Sequence, residues 1–326
     1  MKNIAFFLVS VLCILSVFLL SCTKEITIEI PVRPVGLVIE SLLVPYSVNG
    51  KYLGIKVSGS HHIFDTTTIE PIANATILLY KNEVLKDTLV YDPTPQISFY
   101  PLGFGPMQGP LAGEAYRIEV SAPGYKSVYA ETLIPEKVSI DTVIIDRIGY
   151  FDDSGLVYSK LTISFTDPAK EDNYYEIVVT PLGVGEYRAS AYRLLSTFEP
   201  LIVNEPHYPD ETRIDLKNPD RLLFNDKTFN GQQAELDFYY FASQITGGTH
   251  QLNSEILSVQ LRNISREYYL YQSTMLHSSF NREADILYGL GEPLNVISNI
   301  KNGYGVFAGF NNDVHHLELD TLTVRR

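Results

Sequence analysis

Cys22 is the residue whose surroundings define its chemistry best. It ends the stretch Leu19-Leu20-Ser21-Cys22, at the close of an apolar run from Ile4 to Leu20 that follows a short positive start at Lys2. A basic start, an apolar centre and a small residue before the cysteine are the layout of an export signal. The run is slightly short for a membrane span, and it stops at a cysteine and not at a basic stop-transfer cluster. Leu-Leu-Ser-Cys has the pattern of a bacterial lipobox, which predicts cleavage between Ser21 and Cys22 and lipidation of Cys22. The competing reading is an uncleaved N-terminal anchor helix with a chance cysteine. Several acyl chains on one residue make anchoring stable, whereas a single chain binds only marginally. Cys13 lies inside the leader, so Cys22 is the one cysteine of the mature chain. A secreted body without further cysteines has no disulfides and must be held by its apolar core, which its length allows.

Other residue types that carry chemistry are present without the spacing that chemistry needs. Of seven histidines, His61-His62 and His315-His316 are adjacent. Neighbours on a strand point to opposite faces, so such a pair does not chelate from one side. No cysteine ligand remains and no His-Glu-x-x-His helix occurs, so neither a metal nor another cofactor is expected. Asp152-Asp153 and Asp210-Glu211 are acid pairs near turn residues. Glycosidase carboxylates work across a defined gap, and adjacent loop acids read more simply as solvated. There is no Gly-x-Ser-x-Gly elbow, phosphate-cradling loop or EF-hand pattern. No catalytic residue is therefore assigned, and a hydrolase ranks lowest among the readings.

Two features leave binding open. The chain has 22 tyrosines and no tryptophan, with pairs at Tyr174-Tyr175, Tyr239-Tyr240 and Tyr268-Tyr269. Exposed rings could stack on a sugar or a partner; the preferred reading places one ring of each pair in the core. The run from Ser298 to Gly309 offers Asn299, Asn302, Gly303 and Tyr304 as a possible binding loop. The same run also reads as a glycine-permitted turn that locks the C-terminal strand, with Val306, Phe307 and Phe310 directed to the core.

The formal charge of −13 becomes one unit more negative when Lys2 leaves with the leader. No basic stripe is available for phosphates, which excludes nucleic acid as a partner. It also disfavours lying flat on an anionic bilayer, and like-charge repulsion accounts for it as solubility.

Period-two alternation dominates the elements. Ile26, Ile28 and Ile30 open it; Ala75–Tyr80 and Val84–Tyr91 read as a hairpin across Lys81-Asn82-Glu83; Tyr116, Ile118 and Val120 alternate with Arg117, Glu119 and Ser121. A Pro/Gly-rich loop from Asp92 to Gly113 excludes helix and central strand. Leu161, Ile163 and Phe165 alternate, as do Ala234, Leu236, Phe238 and Tyr240. Leu257, Val259 and Leu261 make another strand, and a last one lies near Leu317–Val324. The one helix predicted runs over 266–281, capped by Ser265. These signals predict a mainly β protein with two β-sandwich-like domains of immunoglobulin or transthyretin type. The expected division is a signal peptide over 1–21, a lipid-anchored tether over 22–25, an N-terminal sandwich over 26–135 and a C-terminal β-rich domain over 136–326. The tether spans at most roughly 15 Å.

Several motifs occur together: the cysteine at the end of the leader, Phe-Thr-Asp-Pro with Tyr-Tyr over Phe165 to Tyr175, Phe-Asn-Gly at Phe229 to Gly231, the tyrosine-rich helix, and Ser-Asn-Ile-x-Asn-Gly-Tyr-Gly-Val-Phe at Ser298 to Phe307. The combination resembles domain-of-unknown-function family 4249 of Bacteroidetes outer-membrane lipoproteins. The resemblance implies a mostly β, lipid-anchored outer-membrane protein, non-enzymatic and accessory to a TonB-dependent outer-membrane receptor through partner or ligand binding. It supplies no catalytic residues. A cell-surface adhesion or envelope-structural role is the alternative. Thr23-Lys24-Glu25 is similar to a short form of the lysine-plus-acid signal for the outer face of that membrane, with the periplasmic face as the alternative.

Overall fold

A computed structural model describes residues 34–45, 54–62, 65–92, 103–105, 109–151, 155, 157–169, 171–182, 195–196, 221–241, 243–246, 249–252, 255–275 and 295–325. The leader, Ser21, Cys22, the tether and the strand expected at Ile26–Ile30 lie outside them. So do Asp152-Asp153, Asp210-Glu211 and the predicted end of the helix beyond Met275. Among the described residues the chain is mainly β. The strands are β1 (Leu37–Leu43), β2 (Lys56–Gly59), β3 (Thr76–Lys81), β4 (Val84–Asp92), β5 (Gly103–Gly105), β6 (Ala115–Ser121), β7 (Val128–Leu133), β8 (Ile140–Phe151) and β9 (Val157–Thr166). They continue as β10 (Tyr174–Leu182), β11 (Leu195–Ser196), β12 (Arg221–Asn225), β13 (Gln233–Phe241), β14 (Ser243–Thr246), β15 (Thr249–Leu252), β16 (Glu255–Ile264), β17 (Tyr304–Leu319) and β18 (Leu322–Arg325). Helix α1 (266–275) stands between β16 and β17.

Alternation in the sequence becomes alternation of burial. On β6, Tyr116, Ile118 and Val120 are buried, while Arg117 and Glu119 turn outward. The β3–β4 hairpin closes where Lys81 pairs with Val84, leaving Asn82 and Glu83 as a two-residue turn with φ of 48° and 64°. Both central residues left-handed is the turn whose twist suits a hairpin. Asn82 holds it from outside, its Oδ1 accepting the Ala115 N–H at 3.1 Å. The Pro/Gly-rich run contributes β5, an edge strand beside β4 and the kind of place where such a sequence is tolerated.

The strands form a six-stranded sheet in the order β12-β10-β16-β17-β1-β2, a five-stranded sheet β5-β4-β3-β6-β7, a four-stranded sheet β11-β13-β9-β8 and a small sheet β14-β15-β18. One core joins the five-stranded sheet to β1, β2 and the start of β17, around Leu37, Ile39, Ile77, Ile118 and Phe307. A second joins the four-stranded sheet to β10, β12, β16 and the end of β17, around Phe165, Tyr175, Phe224, Phe229 and Phe238. A division at Pro135 falls between most residues of the two cores and cuts through the shared sheet. β1 and β2 belong to the same sheet as β10, and Ile300 and Phe307 come from the far end of the chain to the first core. The reason is the length of β17. Its 16 residues extend roughly 50 Å, enough to lie beneath both sandwiches. The sequence predicts a glycine turn and a separate strand near Leu317, whereas Tyr304–Leu319 is one continuous strand.

Where the cores meet, the inner face of the shared sheet becomes polar. Asp313 of β17 accepts from Lys137 Nζ at 2.8 Å and from the Ile140 N–H at 2.9 Å. Asn263 Nδ2 donates to the Glu136 carbonyl at 3.1 Å and to Asn173 Oδ1 at 3.3 Å. The segment that leads from one sandwich to the other is thus tied to the sheet beneath it. On the opposite face, α1 packs Tyr268 and Tyr269 against Leu223, Val306 and Ala308. Ser265 caps it as expected, its Oγ accepting the Tyr268 N–H at 3.4 Å.

β1 and β17 run parallel, with Val38 opposite Tyr304, Ile39 opposite Gly305 and Leu43 opposite Gly309. At Gly305 φ is +98°, and a Cβ there would stand 2.0 Å from the Ile39 carbonyl oxygen. Both the dihedral and the contact require glycine. Gly305→Ala is expected to destabilise the fold by about 3 kcal/mol or more, read from urea unfolding. A loss below about 1 kcal/mol would show that β1 can yield without separating from β17.

Candidate functional site

The four candidate loop residues come together where β7, β1 and β17 meet. Asn299 behaves as a piece of strand: its Oδ1 accepts the Phe307 N–H at 3.0 Å, and its Nδ2 donates to the Phe307 and Glu131 carbonyls at 2.7 and 3.0 Å. Lys301 exchanges backbone bonds with Tyr129 of β7. Gly303 fits against the Leu37 carbonyl, and the Tyr304 ring lies over Gly36. Asn302, with φ of 64°, faces outward, its Oδ1 accepting from Lys126 Nζ at 2.9 Å. These contacts close the first sandwich, and Asn302 is the member that faces solvent.

The other two family-like motifs meet at the end of the second sandwich. The turn after β9 carries Asp167, and the turn after β12 carries Asp226. Tyr175 donates its hydroxyl to Asp167 Oδ1, and the Gly231 N–H reaches Asp167 Oδ2 at 2.8 Å. Asp226 Oδ2 accepts the Asn173 N–H at 2.8 Å and Asn230 Nδ2 at 2.9 Å. Burial pushes the Asp167 carboxyl above the usual carboxylate range, against the pull of Tyr175 and Gly231, and nearby Asp226 pushes it the same way. Burial, and then Asp167, push the Tyr175 phenol up as well. Two carboxylates at one place suggest acid–base chemistry, yet Asp167 and Asp226 are only 3% and 2% exposed. Both are shielded from solvent, and their hydrogen bonds join the two turns.

A third polar cluster lies under α1. Glu176, wholly buried, accepts from Arg262 Nη1 at 2.8 Å and from the Tyr268 hydroxyl at 3.2 Å. Arg262 also lies over the Phe310 ring, 4.7 Å from its centroid. The cluster binds β10, β16, β17 and α1 to one another.

At His61 the contacts do not form a relay. Thr67 Oγ1 and Asp65 Oδ2 both approach the same ring nitrogen of His61, Nδ1, at 3.3 and 3.1 Å. A nucleophile activated by imidazole sits on the nitrogen opposite the carboxylate, so this group is an Asp65–Thr67 turn beside a surface ring. His315 approaches Asp313 at 3.3 Å while His316 is exposed on the other face of β17, as strand geometry demands. Among the described residues no cluster of three or more His, Cys, Asp or Glu is placed to hold a metal ion. Tyr175 points into the second core, and Tyr174, on the opposite face, lies tilted against Tyr269 of α1, centroids 4.9 Å apart.

Sequence reasoning missed the Glu176 cluster and the Asp313 contact. The second has a visible signal: Asn311-Asn312-Asp313 interrupts an apolar strand with three polar residues. Burial raises the Asp313 carboxyl, but Lys137, the Ile140 N–H and His315 outweigh it and hold it below the usual range. A lowered carboxyl contributes stability above its unfolded value and loses it as pH falls through the folded one. Asp313→Asn is therefore expected to be less stable than the wild type at neutral pH, with the gap closing below about pH 4 in melting curves across pH. A gap independent of pH would contradict this. Tyr175→Phe is expected to cost about 2 kcal/mol in urea unfolding, because Asp167 loses a donor; an unchanged midpoint would mean that Asp167 does not need it.

No curated protein matches the sequence. Residues 23–315 match the family described as a domain of unknown function (DUF4249), and the match takes in the motifs of both turns and the β1–β17 junction. The chain belongs to that family.

Proposed function

We propose that this chain is a non-enzymatic lipoprotein of the outer membrane, held by lipid at Cys22, that assists a TonB-dependent uptake receptor by binding the receptor or its ligand. The observation that carries the anchor is Leu19-Leu20-Ser21-Cys22 at the end of an apolar leader, with the family match beginning at the next residue. Support for binding over catalysis comes from the buried carboxylates. Asp167, Asp226 and Glu176 are each occupied by donors of the fold and shielded from solvent. The tether of roughly 15 Å at most keeps Ile26 close to the bilayer, where a neighbouring receptor is within reach. The side favoured is the cell surface.

Metabolic labelling with a fatty-acid analogue tests the anchor: Cys22→Ala is expected to lose the label and leave the membrane fraction. A variant that keeps both would sink the anchor. Affinity purification of the wild type from mildly solubilised outer membrane tests the partner. A TonB-dependent receptor is expected among the retained proteins, and its absence would overturn the accessory role while leaving the anchor standing.

A further inference from the structure

The outer face of the five-stranded sheet is unlike a plain solvated surface. Strand register arranges it in two rows. Leu85, Tyr80, Arg117 and Glu131 follow one another across β4, β3, β6 and β7, and Thr88, Leu78, Glu119 and Tyr129 do so alongside. A shallow cleft of about 480 Å³ opens between Glu83, Arg117, Tyr129 and Glu131. Arg117 forms its floor. Its guanidinium lies 3.8 Å from the centroid of the Tyr80 ring and pairs with Glu119, with Glu83 at 3.3 Å. Glu131 stands opposite Arg117 across the strand pair, and no hydrogen bond or ion pair of its side chain occurs among the described residues. Two carboxylates, Glu119 and Glu83, thus contact the guanidinium, and Glu131 adds a third at the next strand without pairing to it. Apolar surface adjoins them, with Tyr129 44% and Leu133 53% exposed on β7, and Leu85 52% exposed on β4.

Tyrosine and arginine are the side chains over-represented where protein partners bind tightly. The surplus of negative charge determines which partner fits, since opposite potentials meet across an interface and like charges are rejected. We propose that this face docks a segment of a protein partner that carries lysine or arginine beside apolar side chains. The cation seats between Glu131 and Glu119, and the apolar neighbours cover Tyr129 and Leu133. The proposal deepens the accessory reading above and rests on it for its biological meaning.

The full-length chain in detergent is titrated with a fluorescent peptide of alternating lysine and leucine. A glutamate–leucine peptide of equal length and a glucose oligomer serve as comparators. The basic peptide is expected to bind, and the other two not. Glu131→Lys alone, at an exposed side chain, is expected to weaken binding about tenfold, and Tyr129→Ala several-fold. The reversal pair Glu318→Lys and Asp320→Lys, on exposed sites elsewhere, leaves it within about twofold. Equal loss in the distant pair would reduce the effect to overall charge and overturn the proposal. Unchanged affinity in Glu131→Lys, or preference for the glucose oligomer, would overturn it too. The two readings fail separately. A receptor that co-purifies without any peptide binding at this face removes only the docking site, and peptide binding with no receptor recovered removes only the accessory role.

Discussion

The carbonyl of Ile39 occupies the space that a side chain at position 305 would need. That approach lets β1 lie parallel against β17, and the parallel pair is the seam along which the first sandwich is built onto the sheet of the second. Without the seam, Phe307 would leave the first core and Asn299 would lose the strand it pairs with. A parallel pair needs a long crossover connection. Here nearly the whole described chain is that connection. One glycine thus carries a constraint that no apolar contact could replace, because the limit is backbone against backbone.

Polar groups specify what the apolar cores leave open. Two sandwiches on one sheet could slide along it, since apolar burial has no direction. Asp313, Asn263 and Asn173 mark the line between them with bonds that accept one arrangement. The Asp167–Tyr175 and Asp226–Asn230 contacts do the same for two turns at the end of the second core. Each places a carboxylate or amide where water is scarce, and removing one partner there costs more than the bond itself contributes. Two motifs noted in the sequence, at Phe165 to Tyr175 and at Phe229 to Gly231, fall at the second of these places and fix the register of its turns.

Period-two alternation made the strands legible: Ile118, Ile163, Leu236 and Val259 all point inward as their spacing requires. The Ser265 cap and the Lys81-Asn82-Glu83 turn were legible for the same local reason. What could not be read was the meeting of distant segments. Nothing near Leu37–Leu43 announces Tyr304–Gly309 as its partner, so the chain read as two separate domains. Gly303, Gly305 and Gly309 read as a loop because glycine usually breaks strands; here they mark close approach of strands. The buried Glu176 was hidden too, since a glutamate on a strand reads as solvent-facing until Arg262 and Tyr268 are seen above it.

The pairing of Val38 with Tyr304 also governs when the fold can form. A chain that emerges from one end, through a ribosome tunnel or a membrane pore, exposes β1 first and β17 almost last. The hairpin of β3 and β4 and the neighbouring β6 and β7 can close at once, but their apolar side must wait for Phe307. During that interval Ile77, Ile118 and Val120 lack part of the surface that covers them, and such exposure invites aggregation. Non-local pairing of this kind slows folding. The architecture therefore couples completion of the first sandwich to completion of the chain.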